Sequence, residues 1–192
     1  MIVPRLGSII ALVVLALSME VFAQRHTELE FAGIPFGVSR ETVVEELMKM
    51  GYDTYDQGGH TQVPVFKFGD LPVQVDFIFN KNEKFYAFEI RTGRVEEARK
   101  GKAFEAVEYM SEQFTLKYGK PSADPTIKEH TLHSGRNIYQ EWYGVKLLNA
   151  ATSVIKQGER YFAVGVVEHR TLAKEAAPTK KAKEKTSAEP VF

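Results

Sequence analysis

Apolar residues recur every three to four positions in two stretches of the chain, and every two positions in the segments that follow each of them. The first helical stretch opens at Ser39, whose hydroxyl can accept from the free amides of a first turn, and sets Val43, Val44, Leu47 and Met48 on one face. Gly51 ends it, because glycine takes the left-handed conformation that closes a helix. The second runs from Lys102 to Tyr118 with Phe104, Val107, Met110, Phe114 and Tyr118 at intervals of three and four, and Gly119 and Pro121 end it.

After each helix the period falls to two. Val73, Val75, Phe77 and Phe79 alternate with Gln74, Asp76 and Ile78, which describes a strand with one buried face. The polar run Asn80-Lys81-Asn82-Glu83 turns the chain back through Tyr86, Phe88 and Ile90 as the second arm of a hairpin. An earlier strand, Val65 to Phe68, joins through Gly69-Asp70; Pro64 cannot donate to a ladder and predicts a start at a sheet edge. In the second half, Asn137 to Tyr143, Leu147 to Lys156 and Arg160 to Arg170 read as three more strands, with Gln157-Gly158-Glu159 as a hairpin turn. The pattern predicts an α+β fold: two tandem helix-plus-antiparallel-β-meander units, over residues 31–93 and 101–171, forming a two-layer domain with both helices on one side.

The two ends do not follow either period. Arg5, an apolar run from Ile9 to Leu17 and the small Ala23 have the order of a cleavable secretory signal peptide over residues 1–23. The apolar run is shorter than the roughly 20 residues a spanning helix needs. It contains no cysteine to which a lipid could be attached. At the other end, residues 172–192 are rich in Lys, Ala, Glu, Thr and Pro and bury too little to offset ordering entropy, so they read as a disordered Lys-rich tail. The folded domain is thus expected over residues 27–171, in a periplasmic or secreted setting.

Lys and Arg number 25 and Asp and Glu 25, a balance that argues against binding nucleic acid by phosphate neutralisation. The chain has no cysteine, which excludes disulfides, thiolate metal sites and cysteine nucleophiles. His130 and His133 are close in sequence but, on extended chain, point to opposite faces and read as loop histidines, so no metal is expected. The carboxylate pairs Glu45/Glu46, Glu96/Glu97 and Glu105/Glu108 lie on or beside helix faces, where nothing raises a pKa for acid catalysis. No nucleophile elbow or phosphate loop is present, since Ser134-Gly135 and Gly58-Gly59 read as turns. Neither catalytic residues nor a cofactor are expected.

What remains points to binding. Tyr139, Trp142 and Tyr143 form an aromatic cluster on one strand, with the two tyrosines on one side and Trp142 on the other, and are the candidate partner-binding residues. The rival reading is that all three are core. Lys180, Lys181, Lys183 and Lys185 suit a weak polyanion or anionic-lipid contact, opposed by Glu184 and Glu189. Pro190-Val191-Phe192 offers a short hydrophobic segment to a peptide-binding groove.

The segment Phe31-Ala32-Gly33-Ile34-Pro35-Phe36-Gly37-Val38-Ser39, followed by a helix ending in Gly51-Tyr52, and the helix exit Leu116-Lys117-Tyr118-Gly119-Lys120-Pro121 resemble elements of small bacterial envelope modules. The whole plan resembles the β-lactamase inhibitory protein-like class and its relative, the small lipoprotein of the outer-membrane barrel-assembly machinery. That resemblance implies a non-enzymatic binding module contacting another envelope or secreted protein. The lipoprotein cysteine is missing, and no inhibitory loop residue aligns. The alternative function is a small-molecule or lipid carrier with a pocket between helices and sheet, motivated by Phe66, Phe68, Phe77, Phe79, Phe85 and Phe88.

Overall fold

The computed structural model describes residues 29–124 and 127–176. The signal-peptide reading over residues 1–23, the lysine run 180–185 and the terminal Pro-Val-Phe lie outside the described residues. Most of what is described is antiparallel sheet. A small hairpin, β1 (Glu30–Phe31) and β2 (Ile34–Pro35), leads into helix α1 (Arg40–Lys49). Then come β3 (Tyr55–Asp56), β4 (His60–Phe68), β5 (Leu71–Phe79), β6 (Phe85–Arg91) and β7 (Val95–Glu96). Helix α2 (Gly101–Tyr118) precedes β8 (Gly135–Val145), β9 (Leu148–Gln157) and β10 (Arg160–His169), and α3 (Arg170–Ala176) follows directly. All strands but the first two belong to one sheet in the order β3-β4-β5-β6-β10-β9-β8, with β7 continuing beside β10 where β6 has ended.

The helix ends follow the local chemistry read from sequence. The Ser39 hydroxyl accepts from the Thr42 amide at 3.3 Å and caps α1. Gly51 and Gly119 adopt φ of 83° just beyond the two helices, a region an L side chain rarely enters. Val43 and Leu47 of α1 are buried, whereas Met48, expected on the same face, is exposed.

Register fixes which side of the sheet the helices cover. Val75 lies opposite Ile90, Phe77 opposite Phe88, and Val167 opposite both Phe88 and Ala150, so these residues share one side with Val154 and Trp142. Phe114 of α2 meets Trp142 edge-on at 5.7 Å, and the Arg40 guanidinium of α1 lies 4.3 Å from the Phe79 ring centre, so both helices sit on that side. Phe31, brought in by the β1–β2 hairpin, stacks on Phe88 at 3.9 Å and touches Phe66 and Phe77. Each ring removed from water contributes roughly 1.5–3 kcal/mol. A buried polar contact ties α2 to the sheet: Ser111 donates to the Val107 carbonyl, so its 2.6 Å contact with Thr152 uses the threonine proton.

Two expectations change in detail. Pro64 does not start a strand but sits inside β4, where the register shifts between Val63 and Phe66 and where β3, which pairs only with Thr61 and Gln62, leaves the strand edge free of a partner. The chain beyond residue 171 does not leave the fold at once, since α3 extends to Ala176; its Leu172 approaches Gly37, and its carbonyl accepts from Asn80.

Candidate functional site: the uncovered face of the sheet

The residues that alternate with the core positions make a second face that neither α1 nor α2 covers. Gln62, Asp76, Glu89, Val166, Ala151 and Glu141 run across it in register from β4 to β8. This face is concave. Strands β8 and β6 are separated by β9 and β10, so a flat sheet would hold them three spacings apart, about 14 Å. Yet Arg136 Nη2 of β8 reaches within 3.8 Å of Glu89 Oε2 of β6. The register also sets them four residues apart along the strands, since Arg136 aligns through Ile155 with Phe162 and Glu89 aligns with Val166, a further distance of about 13 Å; the two side chains bridge this diagonal because the sheet curls toward this side.

A fixed polar network occupies one part of the concavity. Asp76 accepts from Gln62 Nε2 at 2.8 Å, from Gln74 Nε2 at 3.2 Å and from Arg91 Nη2 at 2.7 Å. Arg91 also pairs with Glu89 at 3.1 Å, and Glu89 with Arg136. Two carboxylates thus meet two guanidiniums, and every charge in the group has an opposite neighbour. Charge-assisted bonds of this kind hold side chains in one geometry before any partner arrives. Both Asp76 oxygens are engaged by amide and guanidinium donors.

Beside the network lies an apolar floor of Phe162, Val164 and Ala87, with the Arg94 guanidinium 5.7 Å from the Phe162 ring centre. Two tyrosines bracket the face: Tyr55, opposite Gln62 on β3, is 51% exposed, and Tyr143, opposite Asn149 on β8, is 56% exposed. A hydrogen bond with Glu141, helped by partial burial and that carboxylate's charge, raises the Tyr143 pKa. Tyrosine and arginine around a small apolar floor is the composition that protein contacts favour.

The three aromatic residues singled out from sequence do not share a surface. Trp142 has no exposed area; its indole donates to the Gly119 carbonyl at 2.8 Å and its ring is core, which removes it from any contact surface. Tyr139 falls in the register shift between Ile138 and Gln140, which turns it to the helix side, where it lines a groove with Glu108, Ser111 and Glu112 of α2. Burial, with the charges of Glu108, Asp124 and Glu112, raises its pKa. Tyr143 alone lies on the concave face. The residues that sequence reasoning passed over, Gln62, Gln74, Asp76, Glu89 and Arg91, had a signal: they are the polar half of the strand alternation.

His130 is exposed in a short turn, and the His133 ring contacts the neighbouring Ser134 carbonyl at 3.0 Å. Among the described residues no three His, Cys, Asp or Glu side chains gather as a metal would require, and no helix is long and apolar enough to cross a membrane. The carboxylates of the paired glutamates serve local ion pairs, Glu46 with Lys49, Glu97 with Lys100 and Glu105 with Lys102. Comparison with models of protein families, with characterised proteins and with solved structures finds no significant match to this chain.

Proposed function

We propose that the protein is an exported, non-enzymatic binding module whose concave sheet face receives another envelope or secreted protein. The observation that carries this reading is the pairing of curvature with preorganisation: a face curled enough for Arg136 to reach Glu89, its polar groups already locked around Asp76 and its ends flanked by exposed tyrosines. A face whose side chains are already ordered loses little entropy when it meets a partner. Export rests on the order of charge and apolar residues over residues 1–23.

The same proposal reads the chain as two tandem units. Each has a helix followed by a three-strand meander, α1 with β4–β6 and α2 with β8–β10, and the two meanders join edge to edge through β6 and β10. Kinship with the small envelope modules named above belongs to this reading and rests on the opening motif and on that plan.

A direct test is affinity capture from an envelope extract with three forms of the exported chain: wild type, Tyr55→Ala/Tyr143→Ala, and Met48→Ala/Leu116→Ala on the helix side. Truncating two anchoring tyrosines costs about 1–2 kcal/mol each, so the tyrosine variant should hold a partner ten-fold or more weakly, while the helix-side variant holds it as wild type does. Equal retention by all three forms, or loss only in the helix-side form, contradicts the reading.

A further inference from the structure

On the helix side of the sheet, between the last turns of α2 and the turn joining β4 to β5, a groove of about 480 Å³ opens. Phe31, Phe66, Phe88 and Phe114 line it with phenyl rings that otherwise belong to the core. Lys117 donates to the Glu30 carbonyl at 2.7 Å, which ties β1 to α2 at the rim, and Leu116, 80% exposed, extends the apolar surface beside it. A wall of phenyl rings favours an aromatic occupant, because paired rings gain stacking and edge contacts beyond the area they bury. The phenylalanines that motivated a carrier reading divide: Phe77, Phe79 and Phe85 fill the core, while Phe66, Phe68 and Phe88 reach this groove.

The chain itself carries a segment of that chemistry. α3 begins close to the groove: the His169 ring, just before it, lies 5.9 Å from that of Phe36, and Phe36 lies 6.2 Å from Phe88 of the groove wall. α3 ends at Ala176, and in residues 177–192 the large apolar side chains are Val191 and Phe192, with Phe192 the one aromatic ring. The stretch 177–189 reaches up to about 45 Å when extended. A domain of this size has a radius of gyration of roughly 15 Å, so that reach spans the distance to the groove. Residues 24–28, Gln-Arg-His-Thr-Glu, which an exported chain keeps ahead of Leu29, are all polar. We infer that the groove is the seat of the chain's own Pro190-Val191-Phe192, with the Phe192 ring against the phenyl wall. The tether holds this segment at an effective concentration on the order of millimolar, which lets a contact of few side chains compete with solvent. Seated there, it covers core rings that the groove leaves within reach of water. Being a contact within one chain, it brings no partner to the helix side, so it stands or falls apart from the concave face.

The chain has no cysteine, so Ser187→Cys gives a single site for a nitroxide label. Methyl NMR of the labelled exported chain should show paramagnetic broadening at Leu116 and Ala32, which line the groove from α2 and from beside β1. Adding Val191→Ser/Phe192→Ser, outside the described residues, should reduce that broadening about ten-fold or more, as the loss of a buried aromatic ring requires. No broadening at these methyls, or equal broadening in the variant, overturns the inference. So does broadening that passes between chains, seen when a methyl-labelled chain is mixed with a separate nitroxide-labelled one, since a second copy is then the occupant. Toluene supplies an independent readout: the variant, its groove vacated, should bind it several-fold more tightly than wild type. Equal affinity of the two forms for toluene would make the groove a ligand pocket and overturn the inference as well.

Discussion

Trp142 and Tyr143 are neighbours in sequence and opposites in energetics. Trp142 is the chain's single tryptophan, packed edge-on against Phe114 with its indole satisfied by Gly119, so Trp142→Ala should cost about 3–5 kcal/mol in urea unfolding. Tyr143→Ala removes an exposed ring and should change stability by no more than about 0.5 kcal/mol. A second residue-scale prediction concerns acid. Glu97 accepts from Lys100 at 2.6 Å and from the Tyr161 hydroxyl, and these bonds, Lys100 first, hold its pKa below the ordinary value of 4.5. A carboxyl lowered in the folded state adds stability above its ordinary pKa and loses it as pH falls through the folded one. Carbon-detected NMR titration should place Glu97 below its ordinary value of 4.5, and Tyr161→Phe should bring it part of the way back; an unchanged midpoint would show that the tyrosine bond has no effect.

At the scale of elements, α2 can seat on β10 only because Gly165 has no side chain. An added Cβ would lie 2.9 Å from Ile90 Cγ1 and 3.0 Å from Phe114 Cζ, both inside the core. Gly165→Ala should therefore destabilise by about 1–3 kcal/mol, seen as a lower urea midpoint with an unchanged slope; a neutral result would mean that α2 shifts freely on the sheet. The two long helices were legible from sequence because apolar spacing and a glycine stop agree at each of them, with the Ser39 cap added at the first, from Ser39 to Gly51 and from Lys102 to Gly119. The long strands were legible from alternation. Register shifts were not: a bulge adds one residue without altering composition, which is why Tyr139 turns to the helix side while Tyr143 keeps the face expected of it. The two-residue strands β3 and β7 carry no period to detect, and α3 is anchored by contacts of Leu172 that its polar sequence does not announce. The concave face was half legible. Its polar residues stand in the alternation, but the curl that joins Arg136 to Glu89 is a property of the whole sheet.

At the scale of the molecule, the sheet divides two environments. One side is sealed by α1, α2 and the Phe31 hairpin; the other, which neither α1 nor α2 covers, is curled and internally neutralised among the described residues, since Asp76 and Glu89 are matched by Arg91 and Arg136. A neutral network contributes little long-range attraction, so association with a partner through this face should depend only weakly on salt, in contrast to steered complexes of opposite net charge. The measurement that tests the account most directly is site-specific photocrosslinking in the intact envelope, with a photoreactive residue placed in turn at Gln74, Tyr143, Met48 and Leu116. The account predicts the same discrete protein adduct from Gln74 and Tyr143 and none from Met48 or Leu116. Adducts confined to the helix-side positions, or none from the concave face, would contradict it.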